Sequence, residues 1–348
     1  MGRRSNFVDQ TTERMGTRVQ FFQRKALLGA HSMERVFGAV RKAFSEDILA
    51  EVHPCRFRSH GILRRMLNVI EAAWYQRDLN HIEGHEHYLA LGLRKRKTIL
   101  TIHDCGGLHK YKGIERLILL WFWYRLPVRR VTAVTVISEF TRDEVIHFTG
   151  CNPGIIHVIP DPVPEGFAPW PKDFRRECPV ILQVGTTEHN KNIGRIAEAL
   201  RGIPCRLDII GRLTERQRKA LEDNDIAYTN QRDLSDQQVL EKYRECDMVA
   251  FASLYEGFGM PIVEANATGR AVVTSRIDPM AAVAGSAACL VDPYDSSSIR
   301  EGVLRVINDD EYRNRLIRRG FANVKRFGAK TVAEQYEVLY QKIMSGKH

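Results

Sequence analysis

No run in the 348 residues reaches the roughly 18 uninterrupted apolar positions that a membrane span requires, so the chain is not expected to cross a bilayer. No apolar stretch follows Arg3 and Arg4 in the opening MGRRSNFVDQTTERMG, so a secretory signal is not expected either. Asn6 stands where an N-myristoylation signal wants Ser or Thr. The seven cysteines lie far apart, form no CxxC pair and are odd in number. That argues against a disulfide framework and for reduced thiols in the cytoplasm. HExxH is absent, and no Asp-x-Asp pair accompanies the loops that could carry chemistry, so neither a metal nor a cofactor is expected.

What is present is ordinary globular usage, 44% hydrophobic and 27% charged, which excludes wholesale disorder. The length suits two domains. Lys and Arg number 52 against 42 Asp and Glu, and the net charge of +10 asks for an anionic partner: nucleic acid, a phosphorylated small molecule or an acidic membrane surface. The arginines are spread through both halves rather than gathered in a stripe with exposed aromatics, so nucleic acid is not expected.

From Thr17 the chain alternates β-branched runs with helical stretches: TRVQFFQR, a helix near Ser32 to Phe44, ILAEVHP, another helix, TILTIHD, then AVTVISEF with Ser138 as N-cap, and IIHVIPDPV. Five prolines from Pro160 to Pro171 interrupt the rhythm. It restarts with PVILQVGT, CRLDIIG, DMVAFAS, AVVTSR and ACLVDP. The expected class is α/β with two doubly wound, Rossmann-like domains. We read residues 1–16 as a disordered tail, 17–164 and 165–329 as the two domains, and 330–348 as a helix crossing back to the first.

Four places invite chemistry. In Glu256-Gly257-Phe258-Gly259-Met260-Pro261-Ile262-Val263-Glu264, a Gly turn follows a strand and Pro261 opens a helix, so first-turn amides face an anion and Glu264 lies one turn in. The plain alternative is a capped helix with two solvated glutamates. In VGTTEHNKNIGRI, Gly185 follows a strand and Lys191 meets a helix start, where a lysine is either a diphosphate partner or a surface charge. His103 and Asp104 close strand TILTI, and the histidine either meets a polar ligand or bonds to backbone. Gly29 and Ala30 form the matching loop after the first strand. The cluster from His81 to His87 does not fit a helical metal motif, because Gly84 interrupts it. Leu117 to Tyr124, LILLWFWY, is apolar on all sides and reads either as a buried helix or as an interfacial face beside Arg125, Arg129 and Arg130.

Together the two Rossmann-like halves, the E-x7-E segment, the VGT…KN loop and the HD pair resemble the retaining family 4 glycosyltransferases, glycosyl transferases group 1, of GT-B fold. The resemblance implies two domains facing a central cleft, a GDP- or UDP-linked sugar on the second, and a glycan or lipid-linked acceptor on the first, as in cell-surface polysaccharide assembly. On it, Glu264 binds the ribose and Lys191 the diphosphate. Glu256 and the amides of Gly257, Phe258 and Gly259 meet the donor sugar, and His103 the transferred sugar. His103 and Glu256 are then the catalytic residues, with Gly29 and Gly185 in the donor loops. Family members often place an arginine beside the lysine. Here Thr186 and Asn190 surround Lys191, which leaves Arg195 or Arg212 as the second phosphate partner. The rival is a non-catalytic nucleotide-sugar or sugar-phosphate binding protein. The implied location is cytoplasmic, with peripheral contact at the inner face of the membrane.

Overall fold

A computed structural model describes residues 16–25, 32–185 and 189–346. Its frame is two six-stranded sheets, every strand parallel to its neighbours. The first contains β1 (Thr17–Gln23), β2 (Ile48–Pro54), β3 (Leu79–Ile82), β4 (Thr98–Ile102), β5 (Ala133–Val136) and β6 (Ile156–Val158), in the order 2-1-3-4-5-6. Its helices are α1 (Ser32–Lys42), α2 (Ile62–Trp74), α3 (Gly106–Lys110), α4 (Gly113–Leu119), α5 (Leu126–Arg129) and α6 (Glu139–Thr149). A π-helical stretch, Leu120–Arg125, joins α4 to α5.

The second sheet contains β7 (Val180–Val184), β8 (Arg206–Ile210), β9 (Tyr228–Gln231), β10 (Met248–Phe251), β11 (Ala271–Ser275) and β12 (Cys289–Val291), ordered 12-11-10-7-8-9. Around it lie α7 (Ile193–Leu200), α8 (Glu215–Asp223), α9 (Asp236–Glu245), α10 (Met260–Thr268), α11 (Met280–Ala284), α12 (Ser296–Asn308) and α13 (Asp310–Asn323). The last helix, α14 (Ala329–Met344), packs Val332, Tyr336, Leu339 and Ile343 against Val19 and Phe21 of β1 and Leu79 of β3. It therefore belongs to the first sheet's core.

Continuous apolar strands such as TILTI, AVTV and MVAF are wholly buried, as strands covered on both faces must be. Two strands fall outside the apolar runs read from the sequence. β3 (LNHI) buries Asn80 and His81, the latter held by Tyr340 Oη at 2.7 Å and Thr101 Oγ1 at 2.7 Å. β9 (YTNQ) is an edge strand with alternate residues exposed. In the first domain, α1 and α14 cover one face of the sheet, while α2, α5 and α6 cover the other. All seven cysteines are free.

Candidate active site

In the second sheet the chain leaves β7 toward β8 on one side and β10 toward β11 on the other. The two loops diverge at that switch point and leave a crevice at the carboxyl ends of the strands, where open α/β sheets bind ligands. Both of the second domain's chemical motifs open into it. Asn192, in left-handed conformation at φ 58, reaches the Ala252 carbonyl at 2.9 Å and the Pro293 carbonyl at 2.7 Å. Asn190 donates to the Tyr255 carbonyl at 2.8 Å. These bonds tie the lysine loop to the glutamate loop.

Between the loops Lys191 Nζ meets Glu256 Oε1 at 2.6 Å, with both side chains mostly buried. Gly185 makes this possible, since a Cβ there would lie 2.6 Å from the Lys191 stem. The ammonium also lies over the Phe251 ring, 5.0 Å from its centroid. An ammonium has three N–H donors, and Glu256 takes one. Beyond it, Gly259, at φ 114, turns the chain into α10, with Pro261 in the first turn. One turn later Glu264 Oε2 accepts from Tyr243 Oη at 2.5 Å, and the burial and the neighbouring carboxylate push the Tyr243 pKa well above its ordinary value. Phe258 is buried edge-on against Phe327, 5.5 Å between centroids.

The opposite wall comes from the first domain. A Cβ on Gly257 would lie 2.5 Å from the His103 carbonyl oxygen, so only glycine lets the two domains approach this closely. Ser138 Oγ donates to the Gly257 carbonyl at 2.8 Å while accepting from Thr141 N, so one hydroxyl caps α6 and holds the loop of the other domain. Tyr255 Oη donates to Glu144 of α6 at 2.9 Å, and His109 reaches the same carboxylate at 2.5 Å.

His103 is clamped rather than free. Nε2 faces the Glu83 carbonyl at 3.2 Å and Nδ1 faces Asp161 Oδ2 at 3.5 Å. Both partners are acceptors, an environment that favours the doubly protonated ring. Burial opposes that charge, yet Asp161, the Glu83 carbonyl and Asp104 together raise the His103 pKa above its ordinary value. The carboxylate of Glu83 itself pairs with Arg41 and accepts from Gln23.

The structure thus brings Gly185, Lys191, Glu256, Gly257, Phe258, Gly259 and Glu264 to one crevice, with His103 across from it. Gly29 lies outside the described residues, as does Thr186. Of the two substitute arginines, Arg195 donates to Asn192 Oδ1 at 3.1 Å beside the crevice, and Arg212 is exposed after β8. Sequence reasoning missed Asp161, Tyr243, Tyr255 and Glu144, whose partners lie from 21 to 111 positions away and carry no local motif. Asn192 was legible: Asn tolerates left-handed backbone. Among the described residues, no group of three or more His, Cys, Asp or Glu gathers to hold a metal. His87, for one, is buried against the Trp123 carbonyl at 2.6 Å.

Two family descriptions match the chain in tandem: Glycosyltransferase Family 4 over residues 25–166 and Glycosyl transferases group 1 over residues 167–322. The chain belongs to the family 4, group 1 glycosyltransferases. It is 24% identical to the O-antigen chain mannosyltransferase B of Escherichia coli over 76% of this chain and 75% of that one. It is also 24% identical to an MMP alpha-(1->4)-mannosyltransferase of Mycolicibacterium hassiacum, over 66% of this chain and 59% of the relative. HepE of Anabaena, solved with UDP and glucose, superposes with a TM-score of 0.74 at 16% identity, covering 94% of this chain and all of its own. The fold is GT-B, and the glycosyltransferase has its cleft between the two sheets.

Proposed function

We propose that this glycosyltransferase moves a hexose, mannose first among the candidates, from a GDP- or UDP-linked donor to a glycan carried on a lipid, in polysaccharide assembly at the inner face of the membrane. The anomeric configuration is retained and no metal takes part. The observation that carries this reading is the Lys191–Glu256 pair, set at 2.6 Å beside the amides that open α10 and across from the His103 edge. Breaking a sugar to phosphate bond builds negative charge on the departing diphosphate and positive charge on the anomeric carbon. The lysine and the first-turn amides of α10 stabilise the first, as pre-oriented charges and dipoles do in a site screened from water. The Glu256 carboxylate, next to them, favours the second, and Glu264 takes the ribose diol. The ring of His103 is held between Asp161 and the Glu83 carbonyl, so it presents a fixed edge and not a mobile base. The mannosyltransferase names of the sequence relatives support the donor class, and the O-antigen relative supports the glycan acceptor.

The test supplies GDP-mannose and UDP-glucose separately, with membranes bearing lipid-linked glycans, and follows release of the nucleoside diphosphate. Turnover of one donor, dependent on the membranes, is the expected result. Binding of a nucleotide sugar with no turnover of either would leave the non-catalytic binding protein as the reading.

A further inference from the structure

Helix α2 is built inside out. Its buried members are Asn68 and Ala72, while Ile62, Leu63, Met66, Ile70 and Trp74 face outward; Ile62 is 76% exposed, Leu63 71% and Trp74 83%. The inward Asn68 donates to the Phe57 carbonyl at 2.9 Å and to Tyr88 Oη at 3.0 Å and accepts from Phe57 N at 3.1 Å, so the helix is locked in this rotation. The outward residues repeat every four positions and form one stripe along the helix.

A second apolar face adjoins it. On α4 and the π-helical stretch, Ile114, Leu117, Ile118 and Phe122 are exposed. Arg65 of α2 lies over Trp123, 4.4 Å from its ring centroid, and so joins the two elements. The aromatics of LILLWFWY divide differently from a simple belt. Trp123 donates inward to the His85 carbonyl at 2.8 Å, Tyr124 is buried with its hydroxyl on the Asp104 carbonyl, and Phe122 is the exposed member of the four.

The surroundings are basic. Residues 55–75 contain Arg56, Arg58, Arg64 and Arg65 against Glu71 alone, and residues 108–130 contain six Lys or Arg against Glu115 alone. Both helices follow the carboxyl ends of strands, α2 after β2 through residues 55–61 and α4 after β4 by way of the short helix α3, and that end of the sheet carries His103. The apolar face therefore starts at the mouth of the cleft.

We propose that the outward face of α2, continued by α4 and Phe122, docks this enzyme on an anionic lipid surface, with the cleft mouth turned toward the headgroups. The proposal rests on the reading of a lipid-carried acceptor. A contiguous exposed apolar patch marks a surface that meets something. A stripe of Ile, Leu, Met and Trp flanked by Arg and Lys fits the boundary between acyl chains and acidic headgroups better than a protein partner of unspecified charge. No further helix is needed, and among the described residues none is long and apolar enough to cross a membrane.

The experiment sediments the full chain with vesicles of phosphatidylcholine alone or with phosphatidylglycerol added, at low and high salt. Wild type is expected to sediment with the anionic vesicles and to be released by salt. The triple variant Ile62→Ser, Leu63→Ser, Met66→Ser, all exposed positions, should lose binding by about ten-fold or more, as removal of the buried stripe of an interfacial helix does. Val338→Ser, an exposed apolar position on α14 across the sheet, should bind as wild type. Failure of wild type to bind anionic vesicles, or equal binding by the triple variant, overturns the proposal. So does a change from dimer to monomer on making the triple variant without vesicles, which would make this face a contact between copies. Donor turnover with a soluble oligosaccharide acceptor is read in parallel: it reports on the transferase independently of docking, so failure of one leaves the other standing.

Discussion

The two walls of the cleft both stand on six-stranded parallel sheets, in different strand orders, and they carry different side chains. The second-domain wall concentrates charge at a strand-order switch: Lys191, Glu256 and Glu264 sit on short loops laced to one another by Asn190 and Asn192. The first-domain wall offers backbone and a ring already committed to Asp161 and Glu83, and beyond it an apolar slope. On the proposed function, the second-domain wall supplies the fixed cation and amides that a nucleoside diphosphate needs, and the first-domain wall supplies the approach for a glycan on a lipid.

If the walls divide the labour in this way, the largest effect belongs to the charged one. Lys191→Ala should lower kcat/KM by an amount corresponding to about 2–4 kcal/mol, as loss of one oriented stabiliser does. It also leaves Glu256 unpaired in a mostly buried position, which is costlier than losing the pair. The double variant Lys191→Ala with Glu256→Gln should therefore melt above the single one, and calorimetry would show whether it does.

Next comes the seam between the walls. Gly257→Ala places a methyl 2.5 Å from the His103 carbonyl oxygen, so the loop or the domain contact must shift. Displacements of that kind cost about 100-fold in rate when they misalign reacting groups. Transfer should fall by that order while nucleoside diphosphate affinity changes little, as a titration of both quantities would reveal.

A smaller effect separates two histidines of the first wall by sign. The pKa of His103 is raised above its ordinary 6.5 in the folded protein, so its contribution is complete below that pH and is lost as pH rises through the raised value. His81, driven down to about 3 chiefly by burial, does the opposite: its contribution is present above 6.5 and lost as pH falls. Asp161→Asn should thus be less stable than wild type at mildly acid pH and approach it at alkaline pH, with the acid limb retained. A constant difference in melting temperature across that range would remove the Asp161 contribution to the raised His103 pKa from the account.

The smallest expected effect is none at all. Excess chelator should leave transfer unchanged, and recovery of lost activity by magnesium or manganese would contradict metal independence.

The sequence carried the second wall well because its chemistry is local: E-x7-E and the Lys-Asn pair each lie on one loop after one apolar strand. The first wall was less legible. His103 was visible at a strand end, but its clamp, Asp161, lies between Pro160 and Pro162 and shows its purpose only when β4 and β6 take their places on either side of β5. Strand β3 was obscured because Asn80 and His81 are buried with partners supplied from elsewhere, among them Tyr340 of the last helix. For α2 the sequence predicts a helix and no more, since periodicity reveals that an apolar stripe exists and not whether it faces inward. That was settled by Asn68, whose hydrogen bonds to Phe57 and Tyr88 turn the stripe outward.

The division of labour is tested most directly by calorimetric titration of the free nucleoside diphosphates, GDP and UDP, into wild type, Glu264→Ala, Lys191→Ala and Asp161→Asn. The account predicts that Glu264→Ala and Lys191→Ala each weaken binding of the preferred diphosphate by roughly ten-fold or more, as loss of a charge-assisted contact does, while Asp161→Asn binds as wild type. Unchanged affinity in the first two variants, with loss in the third, would place the donor on the other wall and contradict it.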